Sequence, residues 1–369
     1  MWQAEASIEL GAIRANVARV CSGTSAEVMA VVKADGYGHG AVPVARAALE
    51  AGATRLGVAT LSEALELRDA GVTAPVLAWL LAPGQPREQA VAADVDLSAA
   101  SLTELAEVTA GAMTAGRTAR LHLKIDTGLG RNGAQPRDWL ELVEAAAKAE
   151  ATGFVEVVGV WSHFACSDET EHPANDAQLE RFHWALDVAA TAGLRPSQRH
   201  MANSAAILTR PDSHFDVVRL GVAMYGLTPI PGRDFGLRPA MTVRARVALT
   251  KRVPAGHGVS YGLTYTAPAE TTLALVPVGY FDGLPRAASN VGPVQLGGVR
   301  RTIAGRVAMD QFVVDCGDDD VHAGDTAILF GPGDDGEPTA DDWAEVLHTI
   351  NYEVLTSFGS QRRIPRVYR

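Results

Sequence analysis

The sequence is poor in cysteine, and the three it has, Cys21, Cys166 and Cys316, are odd in number and widely spaced. That pattern excludes a disulfide framework as the source of stability. Surplus positive charge is lacking too, since 32 Lys and Arg stand against 43 Asp and Glu for a formal net charge of −11. Neither nucleic acid nor an anionic membrane surface is therefore an expected partner. No apolar run approaches the length of a membrane span. The opening residues, MWQAEASIELGAIR, show no basic segment followed by an apolar one, so no signal peptide is expected and the cytoplasm is the expected location. Internal repeats and low-complexity segments are absent.

What is present is an ordinary globular composition, 47% hydrophobic and 20% charged over 369 residues, a length that suits two domains. From about residue 11 to 230, short apolar runs alternate with helical patterns. The runs EVMAVVK, RLGVAT, PVLAWL, VDLS, ARLHLKI, VEVVGVWSH, QRHMA and DVVRLG predict eight strands. Between them, DAQLERFHWALDVAATAG predicts a helix with Leu179, Phe182, Leu186 and Ala190 on one face. Thr60 with Glu63, and Ser101 with Glu104, have capping-box spacing. Eight strands alternating with helices fit an α/β fold, a (β/α)8 TIM-type barrel, with a doubly wound sheet as the rival.

After TPIPGRDFGLRPA the period changes. MTVRARVALTKRV places Met241, Val243, Ala245, Val247 and Leu249 on one face, the alternation of a half-buried strand. Similar runs follow, interrupted by one predicted helix at DDWAEVLHTI, where Trp343, Val346, Leu347 and Ile350 align. The expected division is a barrel domain over 1–232 and a mostly-β domain over 233–369.

Chemistry concentrates at the strand ends, which face the active site in a barrel. The stretch AEVMAVVKADGYGHG runs from a buried strand directly into Lys33 and three glycines, an arrangement that suits a chain bending around a ligand. The other strand ends carry Lys124 with Asp126, His163, Asn203 with Ser204, and Arg219. Such a set makes a poor metal site, because carboxylates and paired histidines are lacking, and no metal is expected. It suits an anionic organic cofactor. A phosphate fits Ser204 with the backbone amides of Gly221 and Val222, and a lysine among cations and apolar walls has a lowered pKa and can form a Schiff base. Pyridoxal phosphate needs both features. Simpler readings exist for each residue: a solvated Lys33, a core His163, an Arg219 paired with Asp216, a Lys124 paired with Asp126.

AVVKADGYGHG resembles the cofactor-lysine signature of the bacterial alanine racemases, the barrel class of pyridoxal-phosphate enzymes. LHLKIDTGLGR, VWSHFACSDE, HMANSAA, DVVRLGVAMYGL, VSYGLTYTA, PVGYFDGLPR, GRVAMDQ and INYEV resemble that family's further blocks in its order, across essentially the whole chain. Cys166 and Ala308 depart from the pattern. The resemblance implies that Lys33 holds the cofactor and acts as one acid/base, with Tyr261 from the partner subunit as the second. It implies that Arg219 meets the pyridine nitrogen with His163 beside it, and that Arg131 contacts the cofactor and the substrate carboxylate. Lys124 matches a lysine often carbamylated in the family. Asn203 falls in a cofactor-binding block; Tyr37, Ser204 and Tyr352 match phosphate ligands, with Gly221 and Val222 offering amides. Met309 would help hold the substrate carboxylate across the interface, and Tyr280, Arg286 and Arg306 would line the entrance. The implied activity is interconversion of L- and D-alanine in a homodimer with shared sites, supplying D-alanine for peptidoglycan. A racemase preferring serine or a broader set of amino acids, a basic-amino-acid decarboxylase of the same architecture, and a small cofactor-carrying barrel protein are the alternatives; the decarboxylases place an acid where Arg219 stands, and the small barrels lack a second domain.

Overall fold

β1 (Ala4–Ile8) stands apart from the strands that follow it in sequence. In the computed structural model, which describes residues 2–359 and 364–369, the next eight strands form one all-parallel sheet. They are β2 (Glu27–Val31), β3 (Arg55–Val58), β4 (Val76–Ala78), β5 (Val95–Ala99), β6 (Ala119–Lys124), β7 (Val155–Trp161), β8 (Gln198–His200) and β9 (Val217–Leu220). Each matches one of the apolar runs read above. The order β8-β7-β6-β5-β4-β3-β2-β9 brings the last strand beside the first. Backbone bonds from Asp216 N–H to the Arg199 carbonyl (3.1 Å) and from Arg219 N–H to the Ala202 carbonyl (3.0 Å) join β8 to β9, so the sheet closes as a barrel. Near-continuous apolar strands suit this closure, because helices cover the outer face.

Local signals set several helix starts. Thr60 and Glu63 form a full capping box before the helix Leu61–Asp69. Ser101 accepts from the Glu104 amide, whereas the Glu104 carboxylate reaches back one residue further, to the Ala100 N–H. In the helix Ala174–Thr191 the buried stripe is Gln178, Leu179, Phe182, Ala185 and Ala189. Leu186 is half-buried and Ala190 exposed, so the buried face is rotated from the predicted one. Small Ala185 and Ala189 let the backbone approach its neighbours, and the larger Leu186 lies at the flank.

A second, mostly-β unit is built on β10 (Met241–Arg246), β11 (Leu249–Val253), β12 (Gly258–Val259), β13 (Tyr265–Thr266), β14 (Thr271–Val276), β15 (Pro293–Leu296), β16 (Val299–Thr302), β17 (Phe312–Asp315), β18 (Thr326–Phe330) and β19 (Arg366–Tyr368). Its main sheet has the order β16-β15-β18-β10-β1-β19. β1 lies antiparallel to β10, from Ala4 opposite Ala245 to Ile8 opposite Met241, and parallel to β19. The residues before the barrel thus belong with this unit. One compact unit comprises Ile13–Gly36 and Ala41–Leu237; the other comprises Met1–Ala12, Tyr37–Gly40 and Arg238–Arg369. A run as short as AEASI, buried throughout, has no sequence signal for which sheet will take it.

β10 alternates buried and half-buried positions as read. It ends at Arg246, however, and Leu249 begins β11 in a separate three-stranded sheet with β14 and β17, which leaves Leu249 exposed. The helix Ala340–Leu347 buries Trp343 against Phe358 and is capped by Thr339 and Asp342. It stops because His348 takes a left-handed conformation (φ 54°), so exposed Ile350 does not continue the predicted face.

Candidate active site

β2 delivers the chain to Lys33 through Val32, whose N–H still donates to the Gly57 carbonyl of β3. The following four residues then reverse hand: Ala34, Asp35, Gly36 and Tyr37 have φ of 53°, 52°, 61° and 51°. A left-handed turn with three side chains is costly, about 1–2 kcal/mol for each non-glycine residue. Nearby acceptors hold it. The Ala34 N–H donates to Glu63 Oε1 (2.7 Å), and the Ala41 N–H donates to Asp35 Oδ1 (2.8 Å). Sequence spacing gives Glu63 only a capping role; its second oxygen fixing the residue after Lys33 appears only in three dimensions.

Lys33, Lys124, Arg131, His163 and Arg219 gather at the C-terminal end of the barrel, each within electrostatic reach of others. Burial and then Arg131 lower the Lys33 pKa, against a smaller opposing pull from Glu63. Burial, Arg219 and Arg131 push buried Lys124 down to about 7, with Asp126 and Glu104 opposing. Lys124 Nζ stands 4.2 Å from the Trp161 ring centre. Asp126 does not pair with it; its carboxylate accepts from the N–H groups of Gly128, Leu129 and Gly130, shaping the loop that leads to exposed Arg131.

Arg219 is buried in a shell of acceptors. Its Nη2 donates to the Ser162 carbonyl (2.8 Å), to His163 Nδ1 (2.9 Å) and to the Met201 carbonyl (3.1 Å), while Nη1 faces His200 Nδ1 at 3.1 Å. Asp216, its surface alternative, pairs with Arg199 instead. Burial and Arg131 lower Arg219 to about 9, so it stays a cation at neutral pH. Burial and the same cations depress His163 well below its ordinary value, which leaves it neutral.

Asn203 caps the helix Ser204–Thr209, its Oδ1 accepting from the Ala206 N–H and the Ser167 hydroxyl. Ser204 Oγ accepts from the N–H groups of Gly221 (3.0 Å) and Ala223 (3.3 Å), with Val222 between them. Two amides occupy its lone pairs, so the buried hydroxyl can only donate its hydrogen. The donor set of this barrel end therefore fits a phosphorylated aldehyde: a lysine for the carbonyl, cations for the charge, and a hydroxyl committed to donation.

Within the β unit, Tyr37 is buried with its ring centre 6.2 Å from that of Tyr352. Burial and the neighbouring Tyr352 raise the Tyr37 pKa beyond the ordinary phenol range, so it is a neutral donor. The two are held together where the chain passes Gly38 against Gly359: a Cβ on Gly38 would stand 2.7 Å from the Gly359 Cα. Tyr261, Tyr280, Arg286, Arg306 and Met309 lie on adjoining loops of the same unit. The Ser260 hydroxyl donates to the Arg306 carbonyl, the Tyr280 N–H to the Ala308 carbonyl, and the Phe281 N–H to the Met309 carbonyl. Ser289 Oγ links the Arg286 carbonyl to the Val307 N–H. Tyr261 is 70% exposed and Met309 55% exposed.

Sequence reasoning overlooked Trp161, His200, His122 and Asp96. Trp161 stacks on His200 at 5.4 Å and lies beneath the Arg219 guanidinium at 4.9 Å. Trp161 and His122 stand two residues before His163 and Lys124, and Asp96 and His200 lie inside the runs VDLS and QRHMA, positions that are a signal once the barrel is known.

Residues 8–229 match the family model described as alanine racemase, N-terminal domain, and residues 240–368 match alanine racemase, C-terminal domain. The chain is 65% identical over 368 residues to the alanine racemase of Salinispora arenicola, covering 100% of this chain and 99% of that protein. Against the alanine racemase of Thermobifida fusca it is 59% identical, covering 99% and 98%. The fold superposes on the crystal structure of alanine racemase from D-cycloserine producing Streptomyces lavendulae with a TM-score of 0.98 at 55% identity, covering 100% and 97%. It also superposes on alanine racemase from Bacillus anthracis with bound L-Ala-P, at a TM-score of 0.90 and 38% identity, covering 100% and 95%.

Proposed function

The chain belongs to the alanine racemase family, whose reaction interconverts L- and D-alanine, and from that premise we propose how its own residues carry the reaction. Lys33 holds pyridoxal phosphate at the barrel end. When bound, that cofactor withdraws electrons from the substrate and makes its Cα–H acidic. The observation that carries the reading is the gathering of Lys33, Lys124, Arg131 and Arg219 around neutral His163, a cluster that demands an anion and destabilises the Lys33 ammonium.

Racemisation removes a proton from one face of Cα and returns one to the other, so two groups must flank the substrate. The Lys33 amine would serve one face. Tyr261 of the partner subunit serves the other, in a homodimer whose β units complete the facing sites; the exposure of Tyr261 supports that role. Arg219 has donors only, so a ring nitrogen held against it would stay unprotonated, which would limit charge delocalisation and disfavour transamination. The Ser204 hydroxyl and the Val222 amide would receive the phosphate, with Gly221 and Asn203 shaping the loop. Arg131 takes the substrate carboxylate, helped by the Met309 backbone of the partner subunit. Lys124, carbamylated, becomes the anion that orients Arg131. Tyr280, Arg286 and Arg306 border the entrance. The enzyme works in the cytoplasm, and its D-alanine feeds peptidoglycan.

Borohydride reduction of the holoenzyme followed by peptide mapping tests the central assignment. A pyridoxyl label on Lys33 is expected, and Lys33→Ala removes both the visible absorbance and nearly all racemisation. A label on Lys124, Lys148 or Lys251 overturns the assignment.

A further inference from the structure

Behind Arg219 a series of buried side chains crosses the barrel interior. Asp96 on β5, His122 on β6 and His200 on β8 are each nearly inaccessible to solvent. Arg219 Nη1 stands 3.1 Å from His200 Nδ1, His200 Nε2 stands 3.0 Å from His122 Nδ1, and His122 Nε2 stands 3.4 Å from Asp96 Oδ2. The other Asp96 oxygen accepts from Arg120 Nε at 2.8 Å.

The direction of every bond in this series is forced. Arginine has no acceptor, so His200 Nδ1 must be bare and its one hydrogen must sit on Nε2. That hydrogen points at His122 Nδ1, which must also be bare. The hydrogen of His122 then sits on Nε2 and faces a carboxylate, which accepts only. A second proton on either ring sets N–H against N–H. Both imidazoles are therefore neutral, in agreement with the downward pull of burial on each. Burial alone would raise the Asp96 carboxyl, but hydrogen bonds from His122 and Arg120 outweigh it and keep the carboxyl below its ordinary value.

The packing reserves room for these rings. A Cβ at Gly159 on β7 would lie 2.1 Å from His122 Nδ1, so only glycine leaves space for the ring there. Trp161, two residues further along, stacks on His200 with an interplanar angle of 11°. Apolar side chains fill such interiors more cheaply than buried polar ones, which cost stability unless every bond is made.

We propose, resting on the role assigned to Arg219 above, that Asp96 and His122 are positioning residues: through His200 they hold the Arg219 guanidinium in place as a cation. The bonds to His200, His163 and the carbonyls account for both Nη2 hydrogens and one on Nη1, which leaves two of the five N–H groups for an acceptor on the cofactor. Asp96 and His122 touch neither cofactor nor substrate. They act from the far end of the chain: the Asp96 carboxylate, which only accepts, holds the His122 hydrogen on Nε2, and the bare His122 Nδ1 then takes the His200 hydrogen on Nε2, the tautomer that Arg219 also requires.

Nitrogen NMR of holoenzyme labelled with 15N-histidine, without alanine, tests the chain directly. Hydrogen on Nε2 is expected in both buried rings across the neutral range. A protonated His200, or one with hydrogen on Nδ1, overturns the proposal and leaves the Lys33 assignment untouched, since borohydride mapping tests that separately. His122→Phe keeps the ring volume and cuts the chain; His122→Gln restores it, the amide oxygen accepting from His200 and the NH2 donating to Asp96. His122→Phe leaves the His200 Nε2 hydrogen without an acceptor, and is expected to give a mixed His200 tautomer with Arg219 displaced from it, and about tenfold lower kcat with alanine KM within about twofold, the scale of lost outer partners of a site group. His122→Gln is expected to recover both the tautomer and most of kcat. A tautomer change with unchanged kcat, or equal loss in both variants, overturns positioning. Should His122→Phe not fold, the unsubstituted enzyme and His122→Gln still decide.

Discussion

Arg219 is a cation enclosed by two carbonyls and two bare imidazole nitrogens, and that enclosure defines what its replacement does. In Arg219→Glu a carboxylate faces the same acceptors, and it can share a proton where arginine could only donate. Racemisation is expected to fall by at least about a hundredfold, the scale of a lost proton-handling group. If pyridoxal phosphate binds with its ring nitrogen at this residue, pyruvate formed per racemisation event is expected to rise, because a protonated ring would draw charge further from Cα. An unchanged ratio would leave Arg219 a positioning role alone. Lys124 carries the second expectation at this scale. Only the neutral amine takes up carbon dioxide, losing a proton as the carbamate forms, and burial with Arg219 and Arg131 pushes its pKa down to about 7. At fixed carbon dioxide pressure, 13C NMR should therefore show a carbamate that grows as pH rises through that value and is absent in Lys124→Ala.

The left-handed turn after β2 is the element on which the site depends. Its conformation stores strain at Ala34, Asp35 and Tyr37 that Glu63 and the Asp35 carboxylate offset. A β-branched side chain meets this conformation worst. Ala34→Val is expected to destabilise the protein by more than about 2 kcal/mol, whereas Ala34→Gly lies within about 1 kcal/mol of the parent, its relief of strain balanced by greater freedom of the unfolded chain. Denaturant midpoints measure both. Lys33, just before this turn, is legible from AVVKADGYGHG, because an apolar strand ending in lysine and glycines is a local pattern. The handedness of the turn is not, since it follows from acceptors supplied by residues far along the chain.

At the scale of the whole molecule, the loops bearing Tyr261 and Met309 expose apolar side chains, Leu263 at 64% and Phe281 at 55% among them. A partner subunit covering these loops would bury that apolar surface. If Tyr261 serves the partner's site, a dimer of one Lys33→Ala chain and one Tyr261→Ala chain contains one site with both groups and one with neither. Each single-variant homodimer should be severely impaired, Tyr261→Ala by roughly two to four decades. The mixed dimer, isolated through two different tags, should recover up to half the parent activity. Activity no higher than that of the homodimers would place Tyr261 within its own chain and end the shared-site reading. No helix among the described residues is long and apolar enough to cross a membrane.

The eight barrel strands and the strand-end positions of Lys33, Lys124, His163 and Arg219 were determined by the sequence alone, because apolar runs and their ends are properties of neighbouring residues. Thr60 and Glu63 announced their helix for the same reason. Tertiary structure decided the rest. A period of two marks β1 or β11 as a strand but carries no information about its partner, so only the sheets could assign β1 to β10 and turn Leu249 outward. Helical spacing predicted a face with Leu186 and Ala190 for Ala174–Thr191, and packing chose the one with Ala185 and Ala189. Asp96, His122, His200 and Arg219 meet only when the barrel closes, and the single hydrogen on each imidazole is then placed between a carboxylate that only accepts and an arginine that only donates.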